Sequence, residues 1–111
     1  MADGKRDIVR YKKRLTVRYG IREANMVAFT EDVSLTGMFI RTPNTCPPNS
    51  KIRIEFELEN NKVELEGRVV WTKKVPQNLF HLVKKSGMGI RFLSFYSGED
   101  NFNNYFENQA G

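Results

Sequence analysis

The chain has 111 residues, 40% of them apolar and 28% charged, which is enough to bury one globular core and too few for two. It holds no run of about 18 apolar residues, and its N-terminus lacks the basic, apolar and small-residue succession of a secretory leader. These features predict a soluble cytoplasmic protein without membrane contact. The net charge of +5 is confined to one end: residues 1–22 carry eight Lys and Arg against Asp3 and Asp7, and the rest carries ten basic and eleven acidic residues. A long nucleic acid asks for a wider basic stripe, whereas a compact anion held near that end fits the distribution.

Residues 1–9 are polar and basic and are expected to form a flexible arm. Arg10-Tyr11-Lys12-Lys13-Arg14 then sets two guanidinium groups four residues apart, and Arg6-Asp7-Ile8-Val9-Arg10 offers the same spacing one step earlier. Apolar alternation starts at Leu15-Thr16-Val17, a first strand, and Met26 to Asp32 is predicted as the next. Asp32-Val33-Ser34-Leu35-Thr36-Gly37 is turn chemistry. Its Asp and Ser can bond nearby backbone, and its Gly suits a close backbone approach or a positive φ. Met38-Phe39-Ile40-Arg41 reads as the returning strand, and Pro43 through Asn49 as a loop. That loop holds Cys46, the single cysteine, so there is no internal disulfide and no Cys-based metal site.

Ile52 to Leu58 alternates strictly between apolar and charged residues, and Val63, Leu65, Gly67, Val69 and Trp71 repeat on every second position. With Asn60-Asn61 as the turn, this predicts a long antiparallel hairpin, and Gly67 predicts a bulge or bend within it. Leu79 to Val83 and Met88 to Leu93 are expected to pair around Lys84-Lys85-Ser86-Gly87. A helix follows, with Ser97 as its cap and Glu99 and Asp100 in its first turn. Its stripe of Phe102, Tyr105 and Phe106 is expected to plug one end of a barrel, while Asn101, Asn103, Asn104 and Asn108 predict a short helix that frays early. The fold class is therefore all-β, a small antiparallel barrel or sandwich over residues 10–96, preceded by the arm 1–9 and followed by a helix and tail at 97–111.

The Arg10 to Arg14 pair and the Asp32 to Gly37 segment together resemble the RxxxR and (D/N)xSxxG signatures of PilZ domains. Gly87-Met88-Gly89-Ile90-Arg91-Phe92 is similar to the Gly-x-Gly-apolar-x-Phe close of that barrel, and the resemblance covers roughly residues 6 to 95. It implies a small antiparallel six-stranded β-barrel, the PilZ-like split barrel, that acts as a bacterial receptor for cyclic di-GMP, with no other cofactor. It also implies an output to an effector protein whose identity the sequence does not give.

The chemistry of such a ligand agrees with the residues. Guanine O6 and N7 accept from an arginine fork, and the opposite edge donates to a carboxylate such as Asp32. The phosphodiesters suit Arg10, Arg14, the Ser34 hydroxyl and the amides near Gly37. The resemblance thus implies a ligand-binding set of Arg10, Arg14, Asp32, Ser34 and Gly37, with Arg6, Val9, Arg41 and Arg68 as further candidates. In relatives the residue before the first motif arginine influences whether one ligand or a stacked pair is held, and Val9 inclines this chain toward one. Ligand binding is expected to order the arm over the barrel, and that ordering is the switch.

Catalysis finds no support in the inventory. His81 is the single histidine, on an expected strand, and the sequence shows no carboxylate pair whose surroundings set two acidities apart, no His-x-x-x-His and no Gly-rich phosphate loop before a helix. Two alternatives keep the barrel. One is a binder of single-stranded nucleic acid using Phe29, Phe39, Tyr11 and Tyr19 with the basic arm, and the other is a protein-interaction module that holds no nucleotide.

Overall fold

The computed structural model describes residues 9–76, 78 and 85–110, so most of the arm, including Arg6, lies outside the described residues, as do Leu79 to Val83 and His81. Among the described residues the chain forms β1 (Tyr11–Lys12), β2 (Thr16–Gly20), β3 (Met26–Val33), β4 (Gly37–Arg41), β5 (Lys51–Leu58), β6 (Asn61–Lys73), β7 (Gly87–Ser97) and α1 (Glu99–Ala110). All pairings are antiparallel, in the order β1-β3-β2-β5-β6-β7-β4, and β4 pairs back onto β3. The six longer strands therefore close on themselves as a barrel, as the sequence predicts.

β1 and β2 run one after the other along the same edge of β3, with Tyr11 opposite Val33 and Thr16 opposite Phe29. Between them the ladder breaks at Lys13, Arg14 and Leu15. The buried Thr30 hydroxyl spans the break, donating to the Lys13 carbonyl at 2.6 Å and accepting from the Leu15 amide at 2.8 Å. Backbone groups that would otherwise be buried without partners are thereby satisfied, and Arg14 swings outward.

Inside the barrel the alternation does what the sequence expects. Val17, Ile52, Ile54, Val63, Leu65, Val69, Met88 and Ile90 face inward and are buried. Tyr19 is also fully buried, and its phenol spans to Thr42 Oγ1 and to the Asn44 carbonyl, both at 2.8 Å, tying β2 to the loop after β4. Burial pushes the Tyr19 phenol above its ordinary value, and the Thr42 hydrogen bond offsets part of that rise. In the unfolded chain a tyrosine ionises near pH 10, so Tyr19 contributes fully below about pH 10 and its contribution is lost as pH climbs through the raised folded value. Tyr19→Phe is expected to cost about 1 kcal/mol at neutral pH and to soften the alkaline loss of stability. Urea unfolding of both proteins between pH 8 and pH 11 checks this, and parallel pH profiles would show that the phenol plays no such part.

Several expectations are corrected. The β5–β6 turn is Glu59-Asn60, both with positive φ (51° and 68°), so Asn61 is the first residue of β6 and not a turn residue. Met88 to Leu93 lies within the longer β7, whose partners are β6 and β4. Ser97 is the last residue of β7, where its hydroxyl reaches Glu64; Gly98, at φ 82°, makes the turn into the helix, and its carbonyl accepts the first helical bond from Phe102. Finally, α1 runs twelve residues instead of fraying early. Phe102 and Phe106 are buried against Tyr11, Phe56, Phe92 and Phe95, and that packing outweighs the poor propensity of the asparagines. The aromatic stripe is thus the plug that the sequence predicts.

β6 takes up three register shifts against β7, at Glu64/Leu65, Glu66/Gly67 and Val69/Trp71. The second is the irregularity expected at Gly67. The third corrects the expectation that Trp71 shares the face of Val69: Val70 is an extra residue in the ladder, and Trp71 emerges on the outside of the barrel, 49% exposed.

Candidate ligand-binding site

A hollow of about 650 Å³ lies on the outer face of β3, β4, β7 and β6. Strand parity explains what lines it. On β4 the inward residues are Met38 and Ile40, which leaves Gly37, Phe39 and Arg41 outside; on β7, Met88 and Ile90 face inward, which leaves Gly89 and Arg91 outside. β3 reaches the same face through a bulge. Regular alternation from the buried Ala28 and Thr30 would turn Asp32 inward, but the register shifts between Thr30 and Asp32, so Val33 takes the core position and Asp32 pairs with Phe39 on the outside.

Asp32 is engaged from the root of the arm. Arg10 donates from Nε at 2.9 Å and from Nη2 at 2.7 Å to Asp32 Oδ1. Beside this pair, Arg41 meets Glu31 at 3.0 Å. Arg10, Arg41, Lys73, Lys85 and Arg91 line the hollow with Glu31 and Asp32 as its carboxylates, so the cationic excess suits a ligand with two negative charges. One aromatic surface faces it as well: the Trp71 ring stacks on Phe39 with centroids 5.2 Å apart.

The motif residues divide between different tasks. Arg10, Asp32 and Gly37 line the hollow together. Ser34 is fully buried; its hydroxyl accepts from the amides of Thr36 (3.2 Å) and Gly37 (3.1 Å), and its amide donates to the Gly37 carbonyl at 2.8 Å. It shapes the turn that delivers Gly37 to β4. Gly37 does not have a positive φ: a Cβ there would overlap the carbonyl oxygen of Ile90, so glycine is needed for close contact between β4 and β7.

Arg14 does not line this hollow. Its guanidinium lies 3.9 Å over the Phe29 ring in an adjoining hollow of about 760 Å³, which shares Glu31, Arg41 and Lys85 with the first. Val9 is exposed just ahead of Arg10. Arg68 sits beside Arg91 in the sheet and donates to the Asn49 carbonyl at 3.2 Å, outside the lining. Sequence reasoning missed Trp71, Arg91 and Lys73. The signal for Trp71 was faint, a large aromatic at the end of an alternating run.

Other groups serve the scaffold. Cys46 is buried, its thiol pushed up by that burial, and its amide donates to Met88 Sδ at 3.4 Å. Tyr19 in the core and Tyr11 packed on Phe106 are not arrayed with Phe29 and Phe39 on one open face, which removes the aromatic track proposed for single-stranded nucleic acid. Among the described residues no cluster of His, Cys, Asp and Glu could hold a metal ion, and no helix is long and apolar enough to cross a membrane.

A closed six-strand barrel with a helical plug and a cation-rich hollow on its outer wall defines a small β domain with a candidate site for an anion. The chain belongs to the PilZ domain family, whose profile matches residues 4–102. PilZ domains are regulatory receptors, not enzymes. The structure is similar to that of the Bacillus subtilis inhibitor of motility MotI/DgrA, with a TM-score of 0.72 and 16% identity over 96% of this chain and 51% of that one, so this chain spans about half of that protein's length. It is also similar to the PilZ domain of CeSA from a cellulose synthesizing bacterium, with a TM-score of 0.63 and 14% identity over 93% of this chain and 99% of that one. Among curated proteins the sequence finds no match.

Proposed function

We propose that this chain is a cytoplasmic cyclic di-GMP receptor that passes occupancy of its outer hollow to a protein partner. The observation that carries the reading is the Arg10–Asp32 pair at the rim of a cationic hollow: an arginine fork and a carboxylate, the two groups that read the two edges of guanine, already stand together. The ligand exchanges that mutual bond for bonds of its own. Asp32 accepts from the guanine N–H edge, Arg10 turns to O6, N7 or phosphate, and Arg91 and Lys73 neutralise phosphodiester charge. Arg14 meets the ligand where the two hollows join, and Ser34 acts by holding the turn that carries Gly37.

Arg10 has the ladder pairing of β1 just after it, two residues on one edge of β3. A ligand bonded to Arg10 fixes the root of the arm, with Arg6 and Val9 brought toward the hollow, and a partner that recognises the ordered arm then gains affinity in proportion. Membership of the PilZ family supports this output onto a protein, as does the shared fold with a motility inhibitor. Isothermal titration of cyclic di-GMP, with GMP and cyclic GMP as controls, tests the reading. Saturable heat at a fixed stoichiometry for the cyclic dinucleotide alone is expected. An absence of heat up to roughly 100 μM, where a Kd near 1 μM would be plain, would overturn it.

A further inference from the structure

The outer wall of β5, β6 and β7 pairs opposite charges across its strands. Arg53 faces Glu66, Glu57 faces Lys62, and Glu55 faces Arg18 on β2. Glu55 also stands opposite Glu64, but that like-charged pair is relieved: Arg53 approaches the two carboxylates at 4.0 and 3.9 Å, and Lys62 meets Glu64 at 3.0 Å. One row departs from this pattern. Lys51 is the ladder partner of Arg68, and Arg68 is the ladder partner of Arg91. Their neighbours Ile52, Val69 and Ile90 are buried, so three cations point outward side by side across about 10 Å of sheet. Among the described residues none of the three forms an ion pair. Arg68 donates to the Asn49 carbonyl, which orients its guanidinium without neutralising it. Like charges directly opposite destabilise a ladder, so the free protein carries a cost here that an anion from outside would remove.

The surroundings define that anion. The next rank of β5 and β6 brings Glu66, and the one after it Glu55 and Glu64, so the cationic strip is a single row deep. At its other end Arg91 borders the hollow with its carboxylates Glu31 and Asp32. A long polyanion would meet carboxylates in both directions, whereas a short acidic segment fits. Exposed apolar side chains flank the row: Val70 lies two residues from Arg68 on β6, and Leu93 lies two residues from Arg91 on β7. Each is a surplus residue of a register shift between those strands, which sets it out from the wall. We propose that the Lys51–Arg68–Arg91 row docks a short acidic segment of the protein partner, with carboxylates on the cations and apolar side chains packed on Leu93 and Val70. Such a partner refines the receptor reading and rests on its protein output, not on the nucleotide. Arg91 is common to row and hollow, while Lys51 and Arg68 belong to the row alone.

The experiment records amide NMR shifts of the isotope-labelled protein with three probes: the peptide Gly-Glu-Leu-Glu-Glu-Leu-Glu-Gly with blocked ends, the same peptide with glutamine for every glutamate, and hexathymidylate. The acidic peptide is expected to shift the amides of Lys51, Arg68, Arg91 and Leu93 saturably, and less as salt is raised to about 0.2 M. The glutamine peptide is expected to leave them unmoved. Lys51→Glu sets a carboxylate opposite Arg68. It is expected to melt a few degrees higher than the wild type in low salt, to bind cyclic di-GMP unchanged, and to weaken the acidic peptide by about tenfold or more. A gain in stability joined to a loss of docking is not what a merely solvated lysine would give. No shift up to about 2 mM peptide, shifts centred away from the row, or Lys51→Glu binding the peptide like the wild type would overturn the docking row. Hexathymidylate moving the same amides at lower concentration than the peptide would overturn the protein occupant in favour of nucleic acid. Peptide shifts at the row without heat from cyclic di-GMP would uphold the row and overturn the nucleotide reading.

Discussion

Asp32→Ala is expected to lower the affinity for cyclic di-GMP by on the order of a hundredfold or more and to erase the preference for guanine over adenine, with the barrel intact. The two halves of that statement rest on different physics. Asp32 and Arg10 form an ion pair at the surface, where such a pair is worth about 0–1 kcal/mol, so its loss barely moves the folded state. In the complex the same carboxylate has a guanine edge to satisfy, and without it the donors of the base are covered and unpaired, which costs far more than an exposed contact gains. Asp32→Asn keeps one acceptor oxygen and is expected to fall between the two. Calorimetry with cyclic di-GMP and cyclic di-AMP in parallel is the check. A variant with alanine at this position that retained both affinity and base preference would show that the carboxylate serves only Arg10.

The largest effect on stability is expected at Phe102. Its ring is fully buried and sits among Phe56, Phe92, Phe95 and Phe106 at centroid distances of 6.1, 5.5, 5.4 and 4.8 Å. Phe102→Ala is expected to cost about 3–5 kcal/mol, a large share of the roughly 5–15 kcal/mol that holds a domain of this kind. The loss should appear first in the helix. A twelve-residue segment rich in asparagine is not stable alone, so α1 exists because its aromatic stripe is packed into the barrel mouth. Urea unfolding followed by far-ultraviolet circular dichroism measures both quantities, and a cost below about 1 kcal/mol with helicity unchanged would mean that the plug is dispensable.

What the sequence made legible was whatever depends on local period. The strict alternation from Ile52 to Leu58 placed Ile52, Ile54, Phe56 and Leu58 in the core, and Phe102 with Phe106 marked the plug. The turn was misplaced by one residue because Glu59, unlike Asn, carries no sign that it will accept a positive φ. The length of α1 was hidden because propensity is local, and the partners that overrule it, Tyr11, Phe56, Phe92 and Phe95, come from three different strands, β1, β5 and β7. In the site, the motif spacing brought out Arg10 and Asp32, which do meet. It gave no sign that Arg14 would turn to Phe29, since that depends on the break that Thr30 spans between β1 and β2.

The two bulges on which the hollow depends have a consequence for how this protein can change. Asp32 and Trp71 face outward because of one surplus residue in the ladder at each place, Glu31 and Val70. The orientation of both side chains thus rests on the surplus residue standing outside the ladder, which returns the strand to the alternation it would have without it. Substitution at Glu31 or Val70 leaves that arrangement untouched. Deletion of either would remove the bulge and leave Asp32 opposite Phe39 or Trp71 opposite Gly89, still facing outward, whereas flattening a bulge with its residue kept would turn the next side chain into the barrel, so the site tolerates loss of the surplus residue and not its absorption into the ladder.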